Sequence, residues 1–243
     1  SKREYKRLKP FILSKHTIHT EADFFQLTYE GERKIVKTLF TLEKKSLSQK
    51  LRTLESLDTH KEILPESFCI PDHIILVNNK EKAFTIPYIE GQTLASFLSN
   101  QDISPIQHLY YLKKIGLILE ELNRIRNTTT LKDLYIGDLH ESNIIVNPIT
   151  RALTIIDLDS CRIGSEYSYA SKYLTPFSLI KHQKEKYRRN QIIGNGPGYI
   201  IPDANTDIYC YIIIILNYIT GNLFDHFKFE DFYKTINGSA TQL

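Results

Sequence analysis

The spacing of hydrophobic residues changes near residue 91, from short strand-like runs to longer helical ones. Before this point, apolar runs over Phe24–Tyr29 and Lys34–Phe40 flank the turn residues Glu30-Gly31-Glu32, a pattern that predicts a β-hairpin. An amphipathic helix is predicted next, from leucines at helical spacing: Leu47, Leu51, Leu54 and Leu57. Two more strands are predicted, over His73–Val77 and Ala83–Ile89.

The residues after Gly91 predict a mainly helical arrangement. Ser104 is a favourable N-cap and Pro105 suits the first helical position, so a long helix is expected to begin there and to end near Arg126. Its apolar stripe comprises Leu109, Leu112, Ile115, Ile118, Leu119 and Leu122. The other elements expected are a short helix over Thr93–Leu98, strands over Asn143–Val146 and Ala152–Ile156, and an apolar helix from Asp207 to Thr220.

Together these elements predict an α+β fold with two lobes. A small antiparallel β-rich lobe with one helix would take residues 1–90, and a larger, mostly helical lobe would take residues 91–243. The chain would pass between them at Glu90-Gly91, and a cleft between two such units is a common place for a ligand. With 243 residues, 42% of them hydrophobic, the chain can bury one substantial core or two modest ones.

Composition argues against several classes of protein. The 31 lysines and arginines and 28 aspartates and glutamates are spread evenly, so no nucleic-acid-binding surface is expected. The most apolar window, Ile208–Ile219, is shorter than the roughly 20 residues of a membrane span and predicts a buried core helix. The three cysteines lack the paired spacing of zinc or redox sites and are predicted to be buried thiols in a reducing compartment: Cys69, Cys161 and Cys210. A soluble cytoplasmic protein is therefore expected, without a membrane or nucleic-acid partner, and the sequence leaves its oligomeric state open.

One segment carries the candidate chemistry. It reads Ile136-Gly137-Asp138-Leu139-His140-Glu141-Ser142-Asn143, continues as an apolar strand, and is followed after a turn by Asp157 behind two isoleucines. The order of Asp138, Asn143 and Asp157 resembles the catalytic loop and the metal-binding strand end of the protein-kinase-like superfamily. Taken singly, each residue could instead cap a turn or end a strand, but the three together favour the functional interpretation.

The resemblance implies phosphoryl transfer from ATP, a reaction that depends mostly on positioning and on neutralising charge. It implies that Asp138 orients the substrate hydroxyl or accepts its proton. Asn143 and Asp157 would hold Mg²⁺ through oxygen ligands, and the metal would bridge the phosphates of ATP. Lys37, in Ile35-Val36-Lys37, would contact the ATP phosphates, with an ordinary solvated strand lysine as the alternative.

Two further acidic residues extend the resemblance. Glu55 on the first predicted helix is expected to pair with Lys37, and Glu43 is the alternative partner. Asp207 resembles the buried aspartate that accepts hydrogen bonds from the backbone of the catalytic loop. Simple capping of its helix is the competing explanation, because an N-terminal aspartate also suits the helix dipole.

The adenine and substrate ends of the site are expected from less specific signals. Backbone groups of Tyr88 and Ile89 would pair with adenine, although Pro87 offers no donor. His140 stands where protein kinases often carry lysine and is expected to take part in catalysis. The sequence Gly137-Asp138-Leu139-His140 also resembles small-molecule phosphotransferases of the aminoglycoside-kinase and choline-kinase type.

The chain departs from the protein-kinase pattern at its start. No glycine precedes Gly31, so the glycine-rich loop over the ATP phosphates is absent, and Ser14–Asp23 would take its place. Three functions therefore stay open: an active Ser/Thr protein kinase dependent on ATP and Mg²⁺, a pseudokinase that binds nucleotide or a protein without turnover, and a small-molecule phosphotransferase. Retention of all the metal-binding residues favours the first. A basic cluster between residues 181 and 189 is interpreted as a solvated loop rather than as a docking site for an acidic partner.

Overall fold

The computed structural model describes residues 9–10, 23–38, 44–77, 80–164, 166–167 and 202–221. It has a mixed α+β architecture, with an antiparallel sheet in the first part of the chain and helices in the later part. The strands are β1 (Lys9–Pro10), β2 (Asp23–Tyr29), β3 (Glu32–Thr38), β4 (His73–Val77), β5 (Lys80–Pro87), β6 (Gln92–Thr93), β7 (Leu134–Tyr135), β8 (Ile144–Asn147), β9 (Ala152–Ile155), β10 (Arg162–Ile163) and β11 (Glu166–Tyr167). The α-helices are α1 (Lys44–Thr59), α2 (Leu94–Ser99), α3 (Pro105–Thr128) and α4 (Ala204–Thr220).

The first five strands form one antiparallel sheet in the order β1-β2-β3-β5-β4. The predicted hairpin is present, and Glu30 and Gly31 at its turn both have positive φ angles. Strand β3 is central in this sheet. Its register places Lys37 between Phe24 on β2 and Phe84 on β5, so the lysine is flanked by aromatic rings and is 6% exposed.

Helix α1 packs its apolar face towards the interior, as the leucine spacing predicts. Leu51, Leu54 and Leu57 are buried, and the same face also buries Lys50 and Thr53. The helix contacts β10, β11 and a 3₁₀ turn over Leu158–Ser160. These contacts place Lys50 of α1 next to the segment that follows Asp157.

Helix α3 begins at the predicted cap. The Ser104 Oγ accepts the backbone N–H of Gln107, and Pro105 occupies the first turn. The apolar stripe predicted for this helix is wrong at Leu109, which is 57% exposed. The buried face includes His108 and Tyr111 instead, because aromatic contacts of both with Phe97 of α2 rotate that face towards the core.

Helix α4 is buried on one face only, so the prediction of a fully buried core helix is wrong for the opposite face. Cys210, Ile214 and Asn217 face the core, whereas Ile208 and Ile219 are at least half exposed. A groove of about 420 Å³ runs between α3 and α4, and it is lined mainly by apolar side chains and by none of the candidate site residues. Among the described residues, no helix is both long and apolar enough to cross a membrane.

One cluster of buried apolar residues includes side chains from the strand-rich and the helical parts of the chain, among them Leu54, Phe84, Phe97, Leu122 and Ile155. The three cysteines are buried thiols, which confirms that prediction. Two small sheets, β6-β8-β9 and β11-β10-β7, lie beside the cluster and carry the loops of the candidate site.

Candidate active site

The loop that carries Asp138 is fixed by Asp207. The two carboxylate oxygens of Asp207 accept the backbone N–H groups of Ile136 and Gly137, each at 3.0 Å. Helix α4 is capped by a different residue, since the Asp203 side chain accepts the backbone N–H of Thr206 at 2.9 Å in a reciprocal capping box. Asp207 therefore holds the loop rather than capping its helix.

Burial determines the electrostatics of Asp207, which is 3% exposed. Burial raises its pKa to about 6, although the hydrogen bonds from the Gly137 and Ile136 amides act in the opposite direction. Burying this carboxylate destabilises the folded state, and its two hydrogen bonds to backbone amides offset that cost.

Gly137 is required by the shape of the loop. Its φ angle is +79°, and a Cβ atom at this position would lie 2.7 Å from the carbonyl oxygen of Ser160. Such an approach is shorter than van der Waals contact to a backbone atom, so a side chain here would displace one of the two segments. The glycine sets the direction in which the chain enters Asp138.

Asp138, His140 and Asn143 lie together in a short turn. The Nδ2 of Asn143 donates to the Asp138 carbonyl at 3.1 Å, which leaves the amide oxygen available as a ligand. The Nδ1 of His140 accepts the backbone N–H of Ser142 at 3.2 Å, so the proton of the neutral ring is on Nε2. That nitrogen lies 3.8 Å from the Asp138 carboxylate, and both side chains are partly exposed.

The β8–β9 hairpin brings Asn143 next to Asp157. Ile144 pairs with Ile155 in the antiparallel register, and the N–H of Ile156 donates to the carbonyl of Asn143 at 2.9 Å. Asp157 follows directly in a left-handed conformation, with φ +62° and ψ +43°. This conformation is unfavourable for a residue with a side chain, and such strain concentrates at functional sites.

Lys37 connects the sheet to this hairpin. Its Nζ donates to a carboxylate oxygen of Asp157 and, at 2.9 Å, to Oδ2 of Asp159. Lys50 of α1 donates to the same Asp159 oxygen at 3.1 Å. The four side chains form a cluster of two cations and two anions, which we call the Lys37–Asp159 cluster.

Opposite charges keep Lys37 and Asp159 ionised, whereas burial raises the pKa of Asp157 to about 6. Burial alone would lower the pKa of Lys37, but the charges of Asp157 and Asp159 outweigh it and raise the pKa above its usual value. Burial alone would raise the pKa of Asp159, but Lys37 and Lys50 outweigh it and hold the pKa well below its usual range. Asp159 is only 1% exposed, whereas the Asp157 side chain is 35% exposed and is the carboxylate that a ligand could reach.

The predicted pairing of Lys37 with Glu55 is not formed. Glu55 lies on the exposed face of α1, and Lys37 bonds to Asp157 and Asp159 instead. The buried face of α1 offers Lys50 to the site, so the helix contributes a cation where an anion was expected. Glu43, the alternative partner, lies outside the described residues.

Lys50 is the residue that sequence reasoning missed. It stands three residues after Leu47 and four before Leu54, on the apolar stripe of the predicted helix. A charged residue on such a stripe is almost never fully buried without a partner, and this was the available signal.

The predicted adenine-binding residues directly follow β5. The N–H of Tyr88 donates to the carbonyl of Arg33 at 3.0 Å and so belongs to the sheet. Of the two predicted residues, Ile89 is therefore the one whose N–H is suited to adenine. The guanidinium of Arg33 lies over the Tyr88 ring at 4.1 Å and fixes this turn of the chain.

The donor atoms fit a magnesium ion held jointly with a nucleotide. Among the described residues, no group of three His, Cys, Asp or Glu side chains converges as a metal site of its own. The Asn143 amide oxygen and the accessible Asp157 carboxylate are hard oxygen donors at one hairpin end. Magnesium in such sites is bound by one or two protein groups, with phosphates and water completing the octahedron.

Comparison with known proteins supports the fold and not the reaction. No protein-family model matches the chain, and no curated protein matches it. Many solved structures do match, and one is the Cydia pomonella granulovirus kinase PK-1. Its TM-score is 0.54 at 13% sequence identity, and the match covers 89% of this chain and 70% of the viral one. The fold resembles that of a kinase. A shared fold can host different activities, so the function has to be argued from the site itself.

Proposed function

We propose that this chain is a phosphotransferase that uses ATP and Mg²⁺ and acts on Ser/Thr hydroxyls of a protein. The observation that carries the proposal is the pairing of Lys37 with Asp157, a strand lysine joined to the accessible carboxylate at the end of the β8–β9 hairpin. An ammonium and a carboxylate in this arrangement suit a phosphate and its metal ion.

Most of the predicted site residues have a role in this proposal. Asn143 and Asp157 would hold Mg²⁺, which would neutralise negative charge on the phosphates of the nucleotide. Lys37 would contact the phosphates, and Ile89 would pair with adenine. Asp138 would orient the acceptor hydroxyl and take its proton.

His140 is suited to assist Asp138. Its Nε2 lies 3.8 Å from the Asp138 carboxylate, and an N–H donor at this place can bond to a transferring phosphoryl group. The proposal also includes a nucleotide cleft between the strand-rich residues 1–90 and the helical residues 91–243.

A protein acceptor is favoured over a small molecule by Asp207. The aspartate that holds the catalytic loop is typical of protein kinases and is usually lacking in the aminoglycoside-kinase and choline-kinase types, which the sequence also resembles. We further propose a cytoplasmic location, in keeping with the reduced cysteines.

A second candidate is a nucleotide-binding pseudokinase. The specific observation in its favour is the absence of a glycine-rich loop from the sequence, in which no glycine precedes Gly31.

Transfer of radiolabelled phosphate distinguishes the candidates. The protein is incubated with γ-labelled ATP, Mg²⁺ and a generic protein substrate, and Asp138→Asn serves as the inactive variant. An active kinase labels the substrate or itself, and Asp138→Asn loses the label while it retains nucleotide binding. Nucleotide-dependent thermal stabilisation without label in the wild type supports the pseudokinase. The absence of both contradicts the proposal.

A further inference from the structure

Asp159 joins three separate elements through a single oxygen atom. Its Oδ2 accepts Lys37 Nζ from β3 at 2.9 Å and Lys50 Nζ from α1 at 3.1 Å, while Asp159 itself lies in the 3₁₀ turn Leu158–Ser160. The side chains of all three residues are less than 10% exposed. This is the most buried ionic contact of the site.

Because this contact is buried, the positions of its three side chains can vary little. Charges removed from water are tolerated only where they are paired and well oriented, so Lys37 and Lys50 are each held close to the shared oxygen. The contact with Lys50 also ties the carboxylate to a helix, which limits the rotation of the Asp159 side chain. The Lys37 ammonium is thus held by the enclosed Asp159 as well as by Asp157.

The two partners of Lys37 differ in accessibility. The Asp157 side chain is 35% exposed and can exchange its lysine for a ligand, whereas Asp159 is enclosed and keeps its partners. When a cation or a phosphate enters at Asp157, Lys37 needs another anchor to stay in the site. Asp159 provides that anchor.

We propose that Asp159, restrained by Lys50, is a positioning residue that holds the Lys37 ammonium where it meets the phosphates of the nucleotide. This rests on the proposed function, since it assumes that a nucleotide binds at Lys37. Asp159, in the turn after Asp157, would hold Lys37 in place, which is the role that the sequence analysis predicted for Glu55. Helix α1 takes part through a cation, so its link to Lys37 runs through the shared carboxylate.

Equilibrium binding of ATP and of adenosine to Asp159→Asn tests the proposal. Adenosine has no phosphate, so a residue that positions Lys37 affects ATP alone. We expect the dissociation constant for ATP to rise at least tenfold while that for adenosine changes less than twofold. Equal losses for both ligands would assign a merely structural role to Asp159, and no loss for either would also overturn the proposal.

The same titrations in EDTA separate the lysine from the metal. A positioning effect on Lys37 persists without Mg²⁺, so the loss of ATP affinity is expected in both conditions. A loss seen only with Mg²⁺ would mean that Asp159 acts on the metal, which contradicts the proposal. Asp58→Asn is the matched control, because Asp58 lies on α1 in an exposed ion pair with Lys61 and should leave both affinities unchanged.

Lys50→Met provides a second variant that keeps the length of the side chain. Asp159 retains Lys37 in this variant, so the ATP-selective loss should be smaller, about threefold. If Lys50 acts on the Lys37 ammonium through Asp159, the double variant Lys50→Met/Asp159→Asn should bind ATP no more weakly than Asp159→Asn alone. Additive losses would overturn the proposal, and if Asp159→Asn does not fold, the ATP selectivity of Lys50→Met decides alone.

Failure of the proposed function and failure of the positioning role of Asp159 give different results. A wild-type protein that binds neither ATP nor adenosine contradicts the proposed function, and the positioning role with it. A wild-type protein that binds ATP, with an Asp159→Asn variant that binds it equally well, contradicts the positioning role alone.

Discussion

The carboxylate of Asp207 accepts the backbone N–H of Gly137 at 3.0 Å, across seventy positions of the chain. Its second oxygen accepts the neighbouring N–H of Ile136, so one side chain satisfies two buried donors. Because Asp138 follows directly, the position of the candidate catalytic carboxylate depends on a residue of helix α4.

Replacing Asp207 with asparagine should destabilise the protein. The amide offers one acceptor oxygen to two N–H donors, so one donor would face an NH₂ group, and an unsatisfied buried donor costs about 1–3 kcal/mol. The free energy of unfolding in urea measures the effect. Asp203→Asn is the control on the same helix, because asparagine caps helices as well as aspartate does and should leave the stability within about 0.5 kcal/mol. Equal effects at both positions would contradict the holding role of Asp207.

Replacing Gly137 with alanine should destabilise the protein by more than the cost of the positive φ angle alone. A positive φ costs a residue with a Cβ atom about 1–2 kcal/mol, and here the Cβ would also meet the Ser160 carbonyl at 2.7 Å. Gly31→Ala is the matched control, because Gly31 has φ +83° and nothing within 4 Å of its Cβ position. We expect Gly137→Ala to unfold at lower urea concentration than Gly31→Ala and to lose phosphoryl transfer at least tenfold. Equal stabilities would show that the loop accommodates the side chain.

The buried thiol of Cys69 predicts a loss of stability in alkaline solution. Burial, assisted by the charge of Asp72, raises the pKa of Cys69 to about 12 from the usual 9. The folded protein therefore keeps a proton that the unfolded chain releases between about pH 9 and 12. The contribution of this group is fully present below pH 9 and falls by about 1.4 kcal/mol per pH unit above it.

Urea unfolding at pH 8 and pH 10 checks this slope. Between pH 8 and pH 10 the stability of Cys69→Ala should fall by about 1.4 kcal/mol less than that of the wild type, whatever the absolute stability of the variant. Leu64→Ala, which removes a buried non-titrating side chain, is expected to keep the wild-type slope. An unchanged slope in Cys69→Ala would show that the thiol is not buried as described.

The elements with local signals could be predicted from the sequence. The hairpin turn at Glu30-Gly31, the Ser104-Pro105 helix start and the mostly apolar strand His73–Val77 are all present, because turns, caps and strand patterns depend on neighbouring residues. The hydrogen bonds expected of Asp207 are also formed, since the order of the segments placed it near the loop.

The features that depend on packing could not be predicted in this way. The resemblance to protein kinases indicated Glu55 as the partner of Lys37, but the rotation of α1 about its axis turned Lys50 inwards and Glu55 to the surface. The exposed face of α4 was not predicted either, because an all-apolar run does not show which side of the helix is exposed. The two lysine partners of Asp159 come from distant segments of the chain, so this contact has no local signal in the sequence.

Asp157→Asn should abolish phosphoryl transfer and leave the stability of the protein nearly unchanged. Asparagine tolerates the left-handed conformation of this position, and Lys37 keeps Asp159 as its partner, so the free energy of unfolding should change by less than about 1 kcal/mol. The weaker neutral ligand should reduce Mg²⁺-dependent phosphoryl transfer to background. Retained transfer in this variant would exclude Asp157 as the principal metal ligand.

The central claim is that Asn143 and Asp157 hold a divalent cation that bridges ATP next to Lys37. Calorimetric titration of ATP into the wild type and Asp157→Asn, with Mg²⁺ and in EDTA, tests it most directly. We predict that Mg²⁺ tightens the binding of ATP to the wild type at least tenfold and has less than a twofold effect on Asp157→Asn. Equal affinities of the wild type with and without Mg²⁺ would contradict the claim.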